Sequence, residues 1–402
     1  MTEAKYGSAS ERWSHGIRGR RDGASKRHGQ QLICLESSVA CGTYCVPMST
    51  EDPWQEMSDA LEFAVSRIEG DPDPLNDRER ADGNLYVMRM LTAVTQSSTL
   101  TLDPDRPSFL TMLDGVRFVG AAGPDIDYDV AAVRPDSLYS ISGERGEATY
   151  VGITVYAGAG AGGASAVVTS VDVDDIIAED GTFVWEFSHP EAARVIVRQY
   201  FHNRGEQSRG LWSIARVDAG VVEATTDARA PRVMGSAEMS ARVSNAAKSL
   251  RWNAQLNQLW TPERRSFPNG FVRQTCDDIV AAIPNPDVIY SFTWWKVAED
   301  EVVVVDFVPP TTDYWALQLC DRWYQCFPDR QSNINNREVV VNADGSVRIV
   351  VSDGDPGVPN WLDTSGHRVG VMFFRWLHAD IGEQPVCRVV KRSEVGSLSS
   401  SA

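Results

Sequence analysis

Near residue 115 the spacing of apolar residues changes from the 3.6 of a helix to the 2 of a strand, and most of the chain after that point keeps the shorter period. Val151, Ile153 and Val155 alternate with Tyr150, Gly152, Thr154 and Tyr156, and Val195 and Val197 alternate with Ile196, Arg198 and Tyr200. Val302 to Val305 is an apolar run suited to a strand buried on both faces. In 314–324, Trp315, Leu317, Leu319 and Trp323 fall on one face, with Gln318, Cys320 and Arg322 on the other. A hairpin is predicted where Val339–Val341 and Val347–Val351 flank Asp344-Gly345, a dipeptide suited to the positive φ values of a tight turn. A strand over 368–377 places Val369, Val371 and Phe373 inward with Arg375 on the same face, and a strand over 386–390 finishes the core. Trp294 and Trp295 are adjacent, so an extended chain sends them to opposite faces, one of them toward a pocket or a helical layer.

Helix signals dominate before the change of period. Asp52 can cap, Pro53 suits a first helical position, and Trp54, Met57, Leu61, Val65 and Ile68 form one stripe. Gly70-Asp71-Pro72-Asp73-Pro74 stops that helix, and a second over 78–97 is predicted to turn Leu85, Met88, Leu91 and Thr95 inward. Val243, Ala247, Leu250 and Ala254 mark a helical interlude at about 235–260. The fold expected is α+β: an N-terminal helical layer packed on a predominantly antiparallel β-sandwich or jelly-roll-like domain. The divisions are 1–47, a disordered basic segment; 48–114, the helical layer; 115–234, a first β-rich region; 235–270, the interlude; 271–392, a C-terminal β-rich domain; and 393–402, a tail.

Charge narrows the partners. With 38 basic against 55 acidic residues the chain carries −17, which argues against nucleic acid and anionic lipid surfaces. No run of 18 or more apolar residues occurs, so no membrane span is expected. Residues 1–47 carry seven Lys or Arg against four acids and no apolar period; Met48 is the preferred natural start, with the stretch before it read as upstream sequence. Seven cysteines without a C-x-x-C, and no visible secretory signal, give reduced thiols in a cytoplasm as the expectation.

Two motifs invite chemistry and carry a simpler reading. Gly158-x-Gly160-x-x-Gly163 matches a dinucleotide fingerprint, but β-branched Val167, Val168, Thr169 and Val171 follow where a helix N-terminus is required, so a loop between strands is preferred. Asp125, Asp127 and Asp129 alternate, which would suit a divalent cation such as calcium at Asp125 and Asp127, yet Val130 stands where an EF-hand loop needs glycine. Turn capping and arginine pairing are the preferred uses of these carboxylates. Zincin, nucleophile-elbow and P-loop motifs do not occur.

The densest group of special residues is the loop 353–367, DGDPGVPNWLDTSGH, which joins two strands. Asn360, Trp361, Asp363 and His367 supply an amide, an indole, a carboxylate and an imidazole on a backbone fixed by prolines and glycines. The bland alternative is that its aspartates cap turns and its Trp plugs the sandwich. Arg375, on an otherwise apolar face, needs a carboxylate or a ligand oxygen. The run DGSVRIVVSDGDPGVPNWLDTSGHRVGVMFFRW (344–376), preceded by VPPTTDYWALQLCDRWYQC (308–326), resembles the bacterial unknown-function family numbered 1214. RPSFLTMLDGVRFVGAAGPDIDY (106–128) and ERGEATYVGITVY (144–156) resemble its longer actinobacterial-type members. That resemblance implies a mixed fold and supplies no chemistry.

The function expected is a cytoplasmic enzyme without an organic cofactor, acting by acid–base chemistry on a small, largely uncharged lipid, steroid, terpenoid or glycan fragment. His367 is the proton shuttle, Asp363 its orienter or a second acid, and Asn360, Trp361, Arg322, Arg375 and Tyr128 position the substrate in a hollow beside the 353–367 loop. The alternative is a non-catalytic protein that binds a small molecule or serves as a homo-oligomeric scaffold.

Overall fold

The computed structural model describes residues 52–99, 103–113, 122–158, 166–217, 234–260, 262–274, 283–327 and 329–398. The N-terminal segment, the start at Met48 and most of the Gly158–Gly163 loop lie outside them. Helix α1 (Pro53–Glu69) begins as the sequence requires, with the Asp52 carboxylate accepting from the Trp54 N–H and proline in the first turn. After α2 (Asp77–Thr99) come β1 (Leu110–Leu113), β2 (Ile126–Ala132), β3 (Tyr139–Glu144), β4 (Tyr150–Ala157), β5 (Val167–Asp172), β6 (Thr182–Phe187), β7 (Ala192–Tyr200) and β8 (Leu211–Arg216). Helices α3 (Ser236–Trp260) and α4 (Pro262–Arg265) lead into β9 (Val272–Gln274), β10 (Val288–Lys296), β11 (Glu301–Phe307), β12 (Trp315–Asp321) and β13 (Asn333–Asn335). The chain ends with β14 (Val347–Ser352), β15 (Trp361–Asp363), β16 (Val369–Leu377), β17 (Val386–Lys391) and a last turn, α5 (Val395–Leu398).

The fold is α+β. Among the described residues the strands form four sheets: β1-β2-β7-β4-β5, β6-β3-β8, β13-β12-β16-β10-β9 and β15-β14-β11-β17, here the first to the fourth. All pairings are antiparallel except β14 with β15. The first and second sheets close on Ile141, Ile153, Val195, Val197 and Phe183, and the third and fourth on Val303, Leu317, Met372, Phe374 and Trp376. The remaining faces of the first and third sheets meet each other and the three long helices in one cluster. The molecule is therefore two sandwiches joined face to face, with the helices covering what the first sheet leaves of the third. This explains the tryptophan pair: Trp294 faces the helices and Trp295 the fourth sheet, both fully buried.

Periodicity placed the inward faces of α1 and α2 only in part: Ile68 is buried and Met57, Leu61 and Leu91 pack against the core, but other residues of both stripes do not. Trp54 is 67% exposed and Met88 60%, and Val65 and Leu85 are exposed too, while Ala60, Ala64 and Ile68 of α1 and Tyr86, Val87, Met90 and Val94 of α2 are buried. Small residues let α1 lie close to α3, and the buried face of α2 opens with Glu79, Asp82 and Gly83, none of which registers as apolar. Trp323 also leaves its predicted face. β12 ends at Asp321, whose carboxylate accepts from the backbone N–H groups of Trp323 and Gln325, and Tyr324 takes a positive φ.

The predicted hairpin is corrected as well. Gly345 turns at a φ of 85°, but Val339–Val341 forms no strand, and β14 pairs with β11 and β15 instead. The Asn360 side chain occupies the ladder's place, accepting from the Val340 N–H and donating to the carbonyls of Val340 and Arg348. β17 is an edge strand with Val386 and Val389 exposed, and the predicted tail instead buries Val395 against Val302, Val304 and Val350.

Where α2 crosses the turn after β12, a Cβ on Gly83 would come within 2.6 Å of the Trp323 ring and 2.9 Å of Ile68. Gly83→Ala adds about 1 kcal/mol of helix propensity but overpacks a site where the penalty is about 1–3 kcal/mol. We expect a net loss of stability in urea unfolding; a gain would show that α2 does not press on Trp323.

Candidate functional site

The residues of the 353–367 loop point in separate directions. Asn360 replaces a strand, as above. Trp361 packs on the outer face of the fourth sheet with Val358 and Val390. Asp363 accepts from the backbone N–H groups of Gly354 and Ser365, and Asp353 accepts from that of Gly366, so the carboxylates hold the loop's own turns. His367 is 1% exposed, with its Nε2 2.9 Å from Asp82 and its ring against Phe327. Asp363 makes no contact with that imidazole. The expected hollow that would hold His367 and Trp361 together is corrected accordingly: helix α2 closes over the ring, and the indole lies on another face of the sheet.

His367 belongs to a buried ionic seam between the helices and the third sheet. Asp82 is bound by His367, Arg330 (3.1 Å) and Arg78 (3.0 Å). Burial pushes the Asp82 carboxyl up, but hydrogen bonds from His367 and Arg330 outweigh it and hold the group well below the usual carboxylate range. Arg322, 0% exposed, contacts Asp71 at 3.0 Å and Glu79 at 2.7 Å and donates to the carbonyls of Asp73 and Pro74. Arg265 reaches Asp71 and Asp73 while lying 4.0 Å over the Trp294 ring. The segment that reads in sequence as a helix stop is also an arginine-binding corner. Arg322 thus positions α2 and stands apart from Arg375, which lies five residues beyond the strand partner of Asp321, about 16 Å along β16.

Arg375 and Tyr128 do come together, in the layer between the first and third sheets. The register places Tyr128 opposite Arg198 across β2 and β7, and Tyr290 opposite Arg375 across β10 and β16. Tyr150, Thr154, Tyr156, Tyr200 and Tyr314 complete the layer. Arg198 is 2% exposed, donates to the Thr154 hydroxyl, the Tyr156 hydroxyl (2.7 Å) and the Ile283 carbonyl (2.7 Å), and lies over the rings of Tyr128 and Tyr156. All of these partners are neutral. Arg375, also buried, donates to Gln318 and sits 4.6 Å over Phe373.

Most hydroxyls of the layer are committed. Tyr150 donates to Asp287, Tyr156 to the Pro284 carbonyl and Tyr314 to Asp125, and Tyr200 accepts from Asn285. Among the described residues the hydroxyls of Tyr128 and Tyr290 make no hydrogen bond. Burial pushes the Tyr290 phenol up to about 12, although Arg375 and Arg198 pull against that rise, so it remains a donor at neutral pH. The sequence shows Arg198 only as a polar partner in an alternating strand; that both faces of β7 would be buried needs the second sandwich.

The three alternating aspartates, Asp125 just before β2 and Asp127 and Asp129 within it, divide their labour. Asp125 accepts from Tyr314 and Asn333 inside the layer, whereas Asp127 pairs with Arg204 and Arg209, and Asp129 with Arg209 and Thr111. The calcium alternative at Asp125 and Asp127 has no ligand cluster beneath it among the described residues. A polar cleft of about 580 Å³ lies where the two sandwiches meet, lined by Thr149, His202, Gln207, Thr312, Asp313, Asn336 and Arg337. His202 bridges it, from the Thr149 hydroxyl at 2.9 Å to the Asn336 side-chain oxygen Oδ1 at 2.9 Å.

Residues 269–385 match the family described as "Protein of unknown function (DUF1254)", which corrects the resemblance to the family numbered 1214. No curated protein matches the sequence. A crystal structure of a putative uncharacterized protein from Burkholderia cenocepacia is similar at 25% identity and a TM-score of 0.77, over 85% of this chain and 98% of that one. The VPA0106 protein from Vibrio parahaemolyticus aligns at 11% identity and a TM-score of 0.42, over 83% of this chain and 100% of that one. Among the described residues no helix is long and apolar enough to cross a membrane.

Two outcomes follow for the seam and the cleft. Arg322→Met leaves Asp71 and Glu79 buried beside one fewer cation, so chemical denaturation should report a loss of about 3–5 kcal/mol, with hydrogen exchange rising first in α1 and α2. Burial, opposed by the Asn336 contact, lowers the His202 pKa. Its neutral ring therefore contributes stability above about pH 6.5, lost as pH falls through the folded value. The stability gap between the wild type and His202→Asn should shrink between about pH 7.5 and about pH 5; a constant gap would remove the histidine from the acid response.

Proposed function

We propose that this chain is a small-molecule-binding protein whose ligand occupies the layer between the first and third sheets. The observation that carries the reading is Arg198: a guanidinium 2% exposed, with neutral partners only. A buried charge without a counter-charge costs several kcal/mol, and apolar residues of similar volume are often as stable or more so. A fold that keeps the cation there gains when an occupant supplies what the chain does not.

Acid–base catalysis centred on His367 and Asp363 has less support, because Asp82 engages one residue and backbone N–H groups the other. Asn360, Trp361 and Arg322 act in packing, leaving Tyr128 and Arg375 as the expected positioners that belong to the proposed site. The match to an unknown-function family and the likeness to an uncharacterized protein are compatible with binding and name no reaction.

A thermal-shift screen of small organic molecules tests the reading. A ligand at about 100 times its Kd stabilises by about 2.7 kcal/mol, so compounds that occupy the layer should raise the Tm by several degrees. Those shifts should vanish in Arg198→Met and persist in a surface variant such as Arg388→Met. Shifts of equal size in the wild type and Arg198→Met would place the ligand elsewhere and overturn the proposal.

A further inference from the structure

We infer that the ligand is a monocarboxylate carried on an apolar body, an inference that rests on the reading just given. Arg198 has five N–H groups. Its three hydrogen bonds leave the Nε–H and one Nη1–H without an acceptor. The two uncommitted hydroxyls, Tyr128 and Tyr290, stand in strand register with Arg198 and Arg375, and Arg198 lies over the Tyr128 ring. The groups left over on Arg198 are donors, so the ligand group that matches the guanidinium is an acceptor, although Asp125 Oδ1 and Asn333 Oδ1, at the Tyr314 contact, also lack partners.

Charge selects among acceptors. Among the described residues the layer's hydrogen bonds reach two carboxylates, Asp125 through Tyr314 and Asn333 and Asp287 through Tyr150, and neither is bonded to Arg198. Every hydrogen-bond partner of Arg198 is neutral, and one negative charge compensates it. A phosphate monoester brings nearly two, among walls formed by Ile126, Ile196, Phe292 and Phe373 that would solvate the second poorly. Phe292 stacks on Phe373 at 4.9 Å and on Tyr290 at 5.7 Å, which gives an aromatic or aliphatic body a flat apolar surface beside the donors. A carboxylate joined to such a body fits both halves of the lining.

Isothermal titration with matched pairs tests this: benzoate against benzamide, octanoate against octanamide, and inorganic phosphate alone. At least one carboxylate should bind tenfold or more tightly than its amide, and Arg198→Met should remove that preference. Tyr128→Phe and Tyr290→Phe should each weaken the carboxylate several-fold while leaving the amide unchanged. Arg198→Lys, which keeps the charge, and the two tyrosine variants carry the test if Arg198→Met fails to fold. Equal binding of acid and amide, lost on layer substitutions, would overturn the carboxylate and leave the binding reading standing. Phosphate binding without either organic acid would overturn the monocarboxylate likewise. No binding by any probe, in a wild type whose library screen also gives no Arg198-dependent shift, would overturn both.

Discussion

The attachment of the helices depends on satisfying a guanidinium that has no access to water. Arg322 stands at the end of β12 with two carboxylates and two carbonyls around it, supplied by the turn after α1 and the first turn of α2. Without those partners its burial would oppose folding by several kcal/mol, so the loop 70–76 and the start of α2 must arrive together with β12. Gln325, Arg330 and His367 then gather around Asp82 one turn further along α2. The helices are consequently held by directional contacts in addition to apolar area, which suits a layer whose inward faces are short in large side chains.

The same chain handles buried cations in two contrasting ways. In the helical seam each guanidinium meets a carboxylate, and the local charge is closed within the protein. In the layer between the sandwiches, tyrosines surround Arg198 instead; they soften the field of the cation and share hydrogen bonds with it but bring no formal charge. A seam closed in charge is what a static joint requires. A layer left electropositive next to stacked aromatic rings suits a binding surface, and on that ground the proposed site lies away from the loop richest in reactive side chains.

The strand pattern was legible because β-branched runs and alternation mark strands even where both faces are buried: Val302–Val305, β12 and β16 lie where the residues place them, and Arg375 is on the predicted face. The failures have two physical causes. Apolar periodicity does not register buried charge, so α2 was turned to show Leu85 and Met88 inward when Glu79 and Asp82 face the core. It also assumes that backbone pairs with backbone, so Val339–Val341 was assigned to a hairpin whose hydrogen bonds one asparagine side chain supplies. The candidate site was half visible. Tyr128 and Arg375 stand out on their own strands, but Arg198 and Tyr290 acquire meaning only when two sheets distant in sequence face each other.

That distance bears on how such a site is assembled. The family match at 269–385 spans Tyr290, Tyr314, Gln318 and Arg375, the third-sheet side of the layer, and stops short of Tyr128, Tyr156 and Arg198. The likeness to the Burkholderia cenocepacia protein runs over 85% of the chain, so it takes in much more than the matched segment. Neither sandwich alone encloses the layer: the third sheet without the first leaves Arg375 and its neighbouring rings open to water, and the first without the third does the same to Arg198. Face-to-face joining of the sandwiches is thus the step that lowers the local dielectric, raises the cost of an uncompensated guanidinium and makes an arriving counter-charge worth most.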